Sequence, residues 1–402
     1  MAQDILMARQ PIYDANLNVV AYELLYRDIN NKAPCLITDG NSATSQVLLN
    51  NYTSICQSRK MTTLPAFINL TKEMLQSEHI PEISRKHIVL EILEGMEVDD
   101  SLIAAIQRYI DAGYRMALDD FIYSPEYDPI LKMVHIVKLD LLAMSDEELA
   151  QHTELLSQFN VTLLAEKIET LEEFTRCKAL GFKLFQGYFL CRPQLVEGRK
   201  LSSNEFVMLE LLALLTDPTA TTAAVGQIVK KDPQLTLQII RIVNSPLFNL
   251  IRKIDSIEEA VTMLGTAEIK RWCALIAFSG DKGKPDELTR HTLIRARMCE
   301  LLAESSSSLS GSSAFMIGIF AGLEALLDTP KNEILEQVFL SEDIELAIRE
   351  GAGPYGELLT NVDSFILGEW ASLTTSYDPA QLNQAYQDSL GWVRETMEKI
   401  TS

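Results

Sequence analysis

A barrel of alternating strands and helices, followed by an all-helical domain, is the architecture predicted by this 402-residue sequence. Three observations carry it. Short apolar runs, each interrupted or ended by a polar residue, recur through the first half. Amphipathic helical patterns separate these runs as far as about residue 193. Beyond about residue 194, strand signals nearly vanish and helix follows helix.

The strand-like runs fall at 18–25, 66–70, 87–93, 115–121, 135–141, 161–166 and 183–190. Runs of this length read as buried strands. Their alternation with helices implies parallel pairing through crossover helices. Between them, Ser101 to Gly113 shows the helical case: Asp100 or Ser101 can cap it, Leu102, Ile103, Ile106 and Ile110 form one stripe, and Gly113 stops it. Leu171 to Leu180, ended by Gly181, is a second example. Downstream, helices are expected at 203–216, 221–229, 233–243, 256–264, 266–280, 286–304, 313–327, 331–340, 342–351, 354–373 and 379–400. The domains are therefore 1–198 and 199–402, with Gln194 to Lys200 as the junction. Ser305 to Ser313 is a Ser/Gly-rich loop inside the second domain. The apolar stretch 314–327 reads as a core helix, too short to span a bilayer.

A hydrophobic fraction of 47% suits a globular protein, and 402 residues suit two domains. The formal net charge of −21 opposes nucleic-acid backbones and anionic membrane surfaces, which call for basic patches. An anionic small molecule would need local help from metal ions, Lys or Arg. Six cysteines without Cys-x-x-Cys pairing read as reduced core residues. No window reaches transmembrane length and no leader pattern stands at the N-terminus, so the expected compartment is the cytoplasm.

The polar residues that end the runs are Glu23, Asn69, Glu91, Asp119, Asp120, Lys138, Glu166 and Gln186. In a (β/α) barrel, the C-terminal rim of the strands is where catalytic residues collect. Carboxylates with an amide carbonyl suit hard cations such as Mg²⁺ or Mn²⁺. The adjacent Asp119 and Asp120 suit two ions, which at about 3.5–4 Å apart form the recurring device for attack on a phosphodiester. Lys138 would stand beside the attacking water or a phosphate oxygen, and Arg27 could grip a second phosphate. The alternative for either is a salt bridge to nearby acids.

These residues carry a resemblance. Tyr22-Glu23-Leu24-Leu25-Tyr26-Arg27 resembles the signature of the EAL domain, with Leu24 where Ala or Val is usual. The family's other blocks follow in order: Asn69 in Phe-Ile-Asn-Leu-Thr, Glu91-Ile92-Leu93-Glu94, Asp119-Asp120-Phe121, Lys138-Leu139-Asp140, Ala165 to Thr170, and Gln186-Gly187-Tyr188 running to Arg192-Pro193. The resemblance implies a TIM-like (β/α)8 barrel that hydrolyses cyclic di-GMP to linear pGpG with two Mg²⁺ or Mn²⁺ ions. It implies metal ligation by Glu23, Asn69, Glu91, Asp119, Asp120 and Glu166, with Glu23 and Glu166 also serving catalysis. It places Lys138 at the catalytic water, Arg27 on a substrate phosphate, Gln186 as a supporting group toward substrate, and Glu94 holding the loop after Asp120. That loop, Phe121 to Pro129, lacks the family's Gly-Thr-Gly turn, and Lys167 replaces a common Gly. The same loop is associated with a homodimer contact through the barrel.

In the second half, Lys231 to Phe248, Ile254 to Gly265 and Lys270-Arg271-Trp272 resemble the HDOD domain, a helical module of bacterial signalling. Its lone histidine, His291, precludes an HD-type metal site. Asp232-Pro233 opens a helix and Asn244-Ser245-Pro246 breaks it. Arg241 and Asn244 could bind a ligand, though structural capping is the preferred reading. The expectation is a cyclic di-GMP phosphodiesterase acting in motility and biofilm control, its helical domain regulating it or docking a protein partner. The alternative is a catalytically degenerate effector that binds cyclic di-GMP or a protein without turnover.

Overall fold

The computed structural model describes residues 5–28, 64–70, 75, 85–93, 95–189, 214, 221–229, 236–237, 239–240, 243–244, 254, 256–265, 269, 272, 285–306, 308–336 and 340–401, with the side chains of 5, 26–28, 222–223, 257–258, 261 and 399–401 excepted. The chain divides into two compact units, Met1–Leu190 and Cys191–Ser402. The junction expected at 194–200 lies outside the described residues.

The first unit is a closed barrel of eight strands in chain order. They are β1 (Ile5–Asp14), β2 (Val19–Asp28), β3 (Ala66–Leu70), β4 (Ile88–Ile92), β5 (Arg115–Leu118), β6 (Ile136–Asp140), β7 (Thr162–Ile168) and β8 (Leu184–Gly187). The barrel has the eight strands that the resemblance implied; the apolar runs had marked seven of them, with parallel pairing, and β1 is the strand they missed. It runs antiparallel to β2 and to β8, closing the barrel, whereas β2 to β8 pair in parallel. The cause is a tight connection. Asp14 Oδ1 accepts hydrogen bonds from the backbone N–H groups of Asn16 and Asn18, and Leu17 takes a left-handed φ of 64°. A turn this short can join only antiparallel strands.

Helices α1 (Asp100–Asp111), α2 (Asp128–Leu131), α3 (Asp146–Leu156) and α4 (Leu171–Ala179) complete the unit among the described residues. α1 is capped by Asp99, which accepts from the Leu102 N–H, and not by the expected Asp100 or Ser101. Gly113 and Gly181 end α1 and α4 with φ of 89° and 97°, where a side chain would be strained. Reciprocal capping boxes, Ser145 with Glu148 and Thr170 with Glu173, open α3 and α4.

Strand periodicity sorts the barrel's side chains. Ile68, Leu90, Met116, Val137 and Ala165 point outward into the layer shared with the helices. Ile12, Ala21, Phe67, Val89, Ala117, Ile136 and Leu164 form an apolar layer inside the barrel. The next inward positions are Gln10, Glu23, Asn69, Glu91, Asp119, Lys138 and Glu166, so the layer above the apolar plug is polar.

In the second unit the described helices are Thr222–Val229, Ile257–Leu264, Asp286–Glu304, Gly311–Phe320, Leu323–Leu327, Lys331–Glu336, Glu342–Glu350, Gly353–Ile366 and Pro379–Thr401. The single helix expected over 313–327 is two, broken near Gly322. Close packing requires glycine there: a Cβ on Gly322 would lie 2.5 Å from Thr292 Oγ1, and one on Gly318 would lie 2.5 Å from Ala296 Cα. Both helices are nonetheless buried, as expected of a core segment. Among the described residues, no helix is long and apolar enough to cross a membrane. Asn244 has the structural role preferred for it. Its amide donates to the Ile254 carbonyl and accepts from the Ile254 N–H, both at 2.7 Å. His291 is held neutral by burial, its pKa pushed down to about 3. Arg241, Asp232-Pro233 and the helices expected at 203–216 and 266–280 fall largely outside the described residues. Cys177 and Cys299 are free and buried.

Substituting Gly318→Ala should destabilise the chain by about 1–3 kcal/mol, the usual cost of forcing extra carbon into a packed core. Urea unfolding of the full chain checks this; an unchanged midpoint would contradict the close helix approach.

Candidate active site

The polar layer has a centre. Lys138 Nζ lies 2.6 Å from Asp119 Oδ1, 2.7 Å from Glu91 Oε1, 2.9 Å from Glu166 Oε1 and 3.3 Å from Glu23 Oε2. Four strands thus deliver carboxylates to one ammonium, which is fully buried, as is Glu91. Gln186 joins from β8: its Nε2 donates to Glu23 Oε2 at 2.6 Å and to Gln10 Oε1 at 2.9 Å. Gln10 sits directly opposite Glu23 in the β1–β2 pair. Asn69 stands beside Glu91 in the β3–β4 register. The ion-pairing alternative for Lys138 is therefore what its side chain does in this structure.

Burial and like charge shape the titration of this cluster. Glu91 is pushed well above the ordinary carboxylate range by burial, with Glu23 and Asp119 adding to the rise and Lys138 opposing it. Burial likewise pushes Glu166 up to about 8, again against Lys138. Burial alone would lower Lys138, but Glu166, Glu23, Glu91 and Asp119 outweigh it and hold the ammonium charged. At both acids burial thus outweighs the nearby ammonium.

A second, shallower group lies beside the first. Lys167 Nζ is 2.6 Å from Asp140 Oδ2 and 3.6 Å from Asp120 Oδ1. Asp120 and Lys167 both adopt left-handed backbone, with φ of 42° and 54°. Asp119, Asp120, Leu118, Phe121, Ile122 and Tyr127 line a cleft at this end. The loop after Asp120 is built from its own bonds. Phe121 N–H donates to the Lys138 carbonyl at 3.0 Å, Tyr123 Oη to Asp128 Oδ1 at 3.1 Å, and Tyr127 Oη to the Met96 carbonyl at 3.1 Å. Phe121 and Tyr127 meet edge to face, their centroids 5.3 Å apart. Glu94, expected to hold this loop, lies outside the described residues, as does the side chain of Arg27.

The donor chemistry fits hard divalent cations. Glu91 Oε2, Glu166 Oε2 and Asp120 Oδ1 are buried oxygens without a hydrogen bond. Buried oxygens of this kind are costly unless something satisfies them. Among the described residues, no three acidic or imidazole groups stand ready-made around an ion position. The Lys138 ammonium occupies the point where the carboxylates meet, so ion uptake would require them to turn from it.

Three participants escaped sequence reasoning. Gln10 was lost with the overlooked strand, although Asp14-Ala15-Asn16-Leu17-Asn18 is a turn signal that marks its end. Asp140 was quoted only as part of a motif. Lys167 was noted only as a replacement.

Comparison with known proteins gives consistent matches. A family model for the EAL domain matches residues 2–193, and one for the HDOD domain matches residues 201–329. The chain is 31% identical over 398 residues to the cyclic di-GMP phosphodiesterase CdgJ of Vibrio cholerae serotype O1, covering 97% of this chain and 92% of that protein. It is 30% identical over 406 residues to the uncharacterized protein YuxH of Bacillus subtilis strain 168, covering 98% and 99%. A standalone EAL protein of Vibrio cholerae O395, solved with c-di-GMP bound, aligns at 24% identity and a TM-score of 0.38, covering 47% of this chain and 91% of that one.

The charge cluster sets two expectations. In chelator-treated protein, Lys138→Met leaves buried carboxylates facing one another and should cost about 3–5 kcal/mol at neutral pH. That cost should shrink as the pH falls and they take up protons, which urea titrations at several pH values would show. The folded chain also holds the Glu166 proton more tightly than the unfolded chain does. Its contribution to stability should therefore fall as pH rises from the ordinary 4.5 toward about 8. Glu166→Gln should flatten that slope, and an unaltered slope would show that Glu166 titrates normally.

Proposed function

The chain belongs to the EAL-domain family in its two-domain EAL–HDOD form, and from that premise we propose that it hydrolyses cyclic di-GMP to linear pGpG. The observation that carries this reading is the convergence of Glu23, Glu91, Asp119 and Glu166 on one buried ammonium at the C-terminal rim of the barrel strands.

Two Mg²⁺ or Mn²⁺ ions would be held by Glu23, Asn69, Glu91, Asp119, Asp120 and Glu166. Bound there, they would supply charge neutralisation at the phosphodiester and a reactive water at neutral pH. In the reaction, the water oxygen bonds to phosphorus, the bond from phosphorus to the ribose 3′-oxygen breaks, and that oxygen leaves as a hydroxyl. Lys138, kept charged by its carboxylate neighbours, is a donor: it orients the water or a phosphate oxygen and does not take the proton. The carboxylates Glu23 and Glu166, which flank Lys138, would accept the water's proton and pass it to the departing 3′-oxygen. Gln186 fixes the Glu23 carboxylate by donating to its Oε2. Arg27 would grip the phosphate that does not react. The resident HDOD domain would regulate the barrel or dock a protein partner, the barrel would pair with a second copy, and the outcome in the cell would be control of motility and biofilm.

The effector reading keeps one specific support. The carboxylates are drawn onto Lys138 and form no ready-made ion group among the described residues. Binding without turnover would follow if they stayed there. Incubation of purified protein with cyclic di-GMP and Mg²⁺ or Mn²⁺ separates the two: linear product supports the phosphodiesterase, and tight binding with no product supports the effector.

Glu23→Ala and Asp119→Ala should each lower hydrolysis by roughly 100-fold or more while leaving the folded far-ultraviolet spectrum intact. Full activity in either variant would sink the site assignment. Chelation should abolish turnover reversibly, with activity returning on addition of Mn²⁺.

A further inference from the structure

Lys167 stands where the reaction described above has no use for a cation. Its ammonium is 2.6 Å from Asp140 Oδ2 and 3.6 Å from Asp120 Oδ1, the second being an ion-pair contact too long for a hydrogen bond. Asp120 Oδ1 is accordingly a buried oxygen without a hydrogen-bonding partner. Both residues sit in left-handed backbone, φ 42° at Asp120 and 54° at Lys167, a conformation that non-glycine residues hold only where surrounding structure imposes it. At Lys167 the β7–β8 register shifts between Ala165 and Ile168, so the strand bends as it presents this side chain. Asp140 is held in turn by the Leu142 N–H, which donates to its Oδ1 at 2.8 Å. The ammonium therefore has one firm partner and one loose one.

Charge gives the arrangement a consequence. Glu23, Glu91, Asp119, Asp120, Asp140 and Glu166 are six carboxylates, against the two ammoniums of Lys138 and Lys167. Fully ionised, the group carries a formal −4, which two divalent cations would balance. Lys138 is fully buried, whereas the Lys167 side chain is 49% exposed.

We propose that Lys167 is a resident counter-ion that, seated on Asp140, competes with a divalent cation for Asp120. It is a positioning residue, and its effect is to weaken the ion held through Asp120 so that this ion enters only at higher cation concentration. The inference rests on the metal-dependent reading given above and deepens it.

The test is a Mn²⁺ titration of the full chain, followed by electron paramagnetic resonance, without substrate. Lys167→Met should tighten the weaker class of Mn²⁺ on the order of tenfold, the size expected when a unit charge roughly 6 Å from a dication is removed in a water-like dielectric, as suits a half-exposed side chain. Lys167→Arg, which keeps the charge, should bind as wild type. In an Asp120→Asn background, Lys167→Met should have no effect. Unchanged or weaker Mn²⁺ binding by Lys167→Met, or tightening that persists without Asp120, would overturn the proposal. Lys167→Gln provides the same readout should methionine disturb the fold. A wild-type chain that binds no Mn²⁺ at all would instead overturn the metal-dependent reading, a result distinguishable from the others.

Discussion

A buried ammonium among converging carboxylates is the constraint around which the barrel is arranged. Lys138 has no access to solvent, and its charge survives only because Asp119, Glu91, Glu166 and Glu23 surround it. Neither partner could be buried alone at tolerable cost. Each strand must therefore end at the right height to bring its polar residue to the same level. The apolar layer of Ile12, Ala21, Phe67, Val89, Ala117, Ile136 and Leu164 just below supplies that height by filling the barrel and fixing the strand register.

Such a cluster is a poor stabilising device and a good functional one. Well-packed apolar side chains would serve stability better, so the retained charges point to chemistry. Oxygens left without hydrogen bonds on Glu91, Glu166 and Asp120 mark a layer whose polar demand the protein's own groups do not meet. The two lysines meet that excess differently. Lys138 serves the deep group from the centre, and Lys167 serves the shallow pair Asp120 and Asp140 from a half-exposed position.

The helical unit is held by another principle. Its central helices approach through Gly318 and Gly322, where there is no room for even one added carbon. Asn244 there shows how an apparently reactive side chain can be spent on architecture, clamping the backbone of Ile254. His291, neutral through burial, likewise belongs to the core and not to a metal site.

Periodicity and local chemistry were enough to read the alternation of strands with helices, the change to an all-helical second half, and the polar residues at the strand ends. These are legible because a strand's inward side chains recur every second residue, and a helix advertises its caps within a few positions: Gly113 and Gly181 stop helices where expected. The first strand was not legible. Its pairing depends on a turn and on partners at opposite ends of the domain, β2 and β8, which local pattern does not reveal. For the same reason Gln10 joins the site unannounced, and the ion-pairing of Lys138 with residues as distant as Glu23 emerges only when the barrel closes. Residue types are written locally. Which charges share one small volume is set by long-range strand registration, and the balance between ammonium and carboxylate follows from that proximity alone.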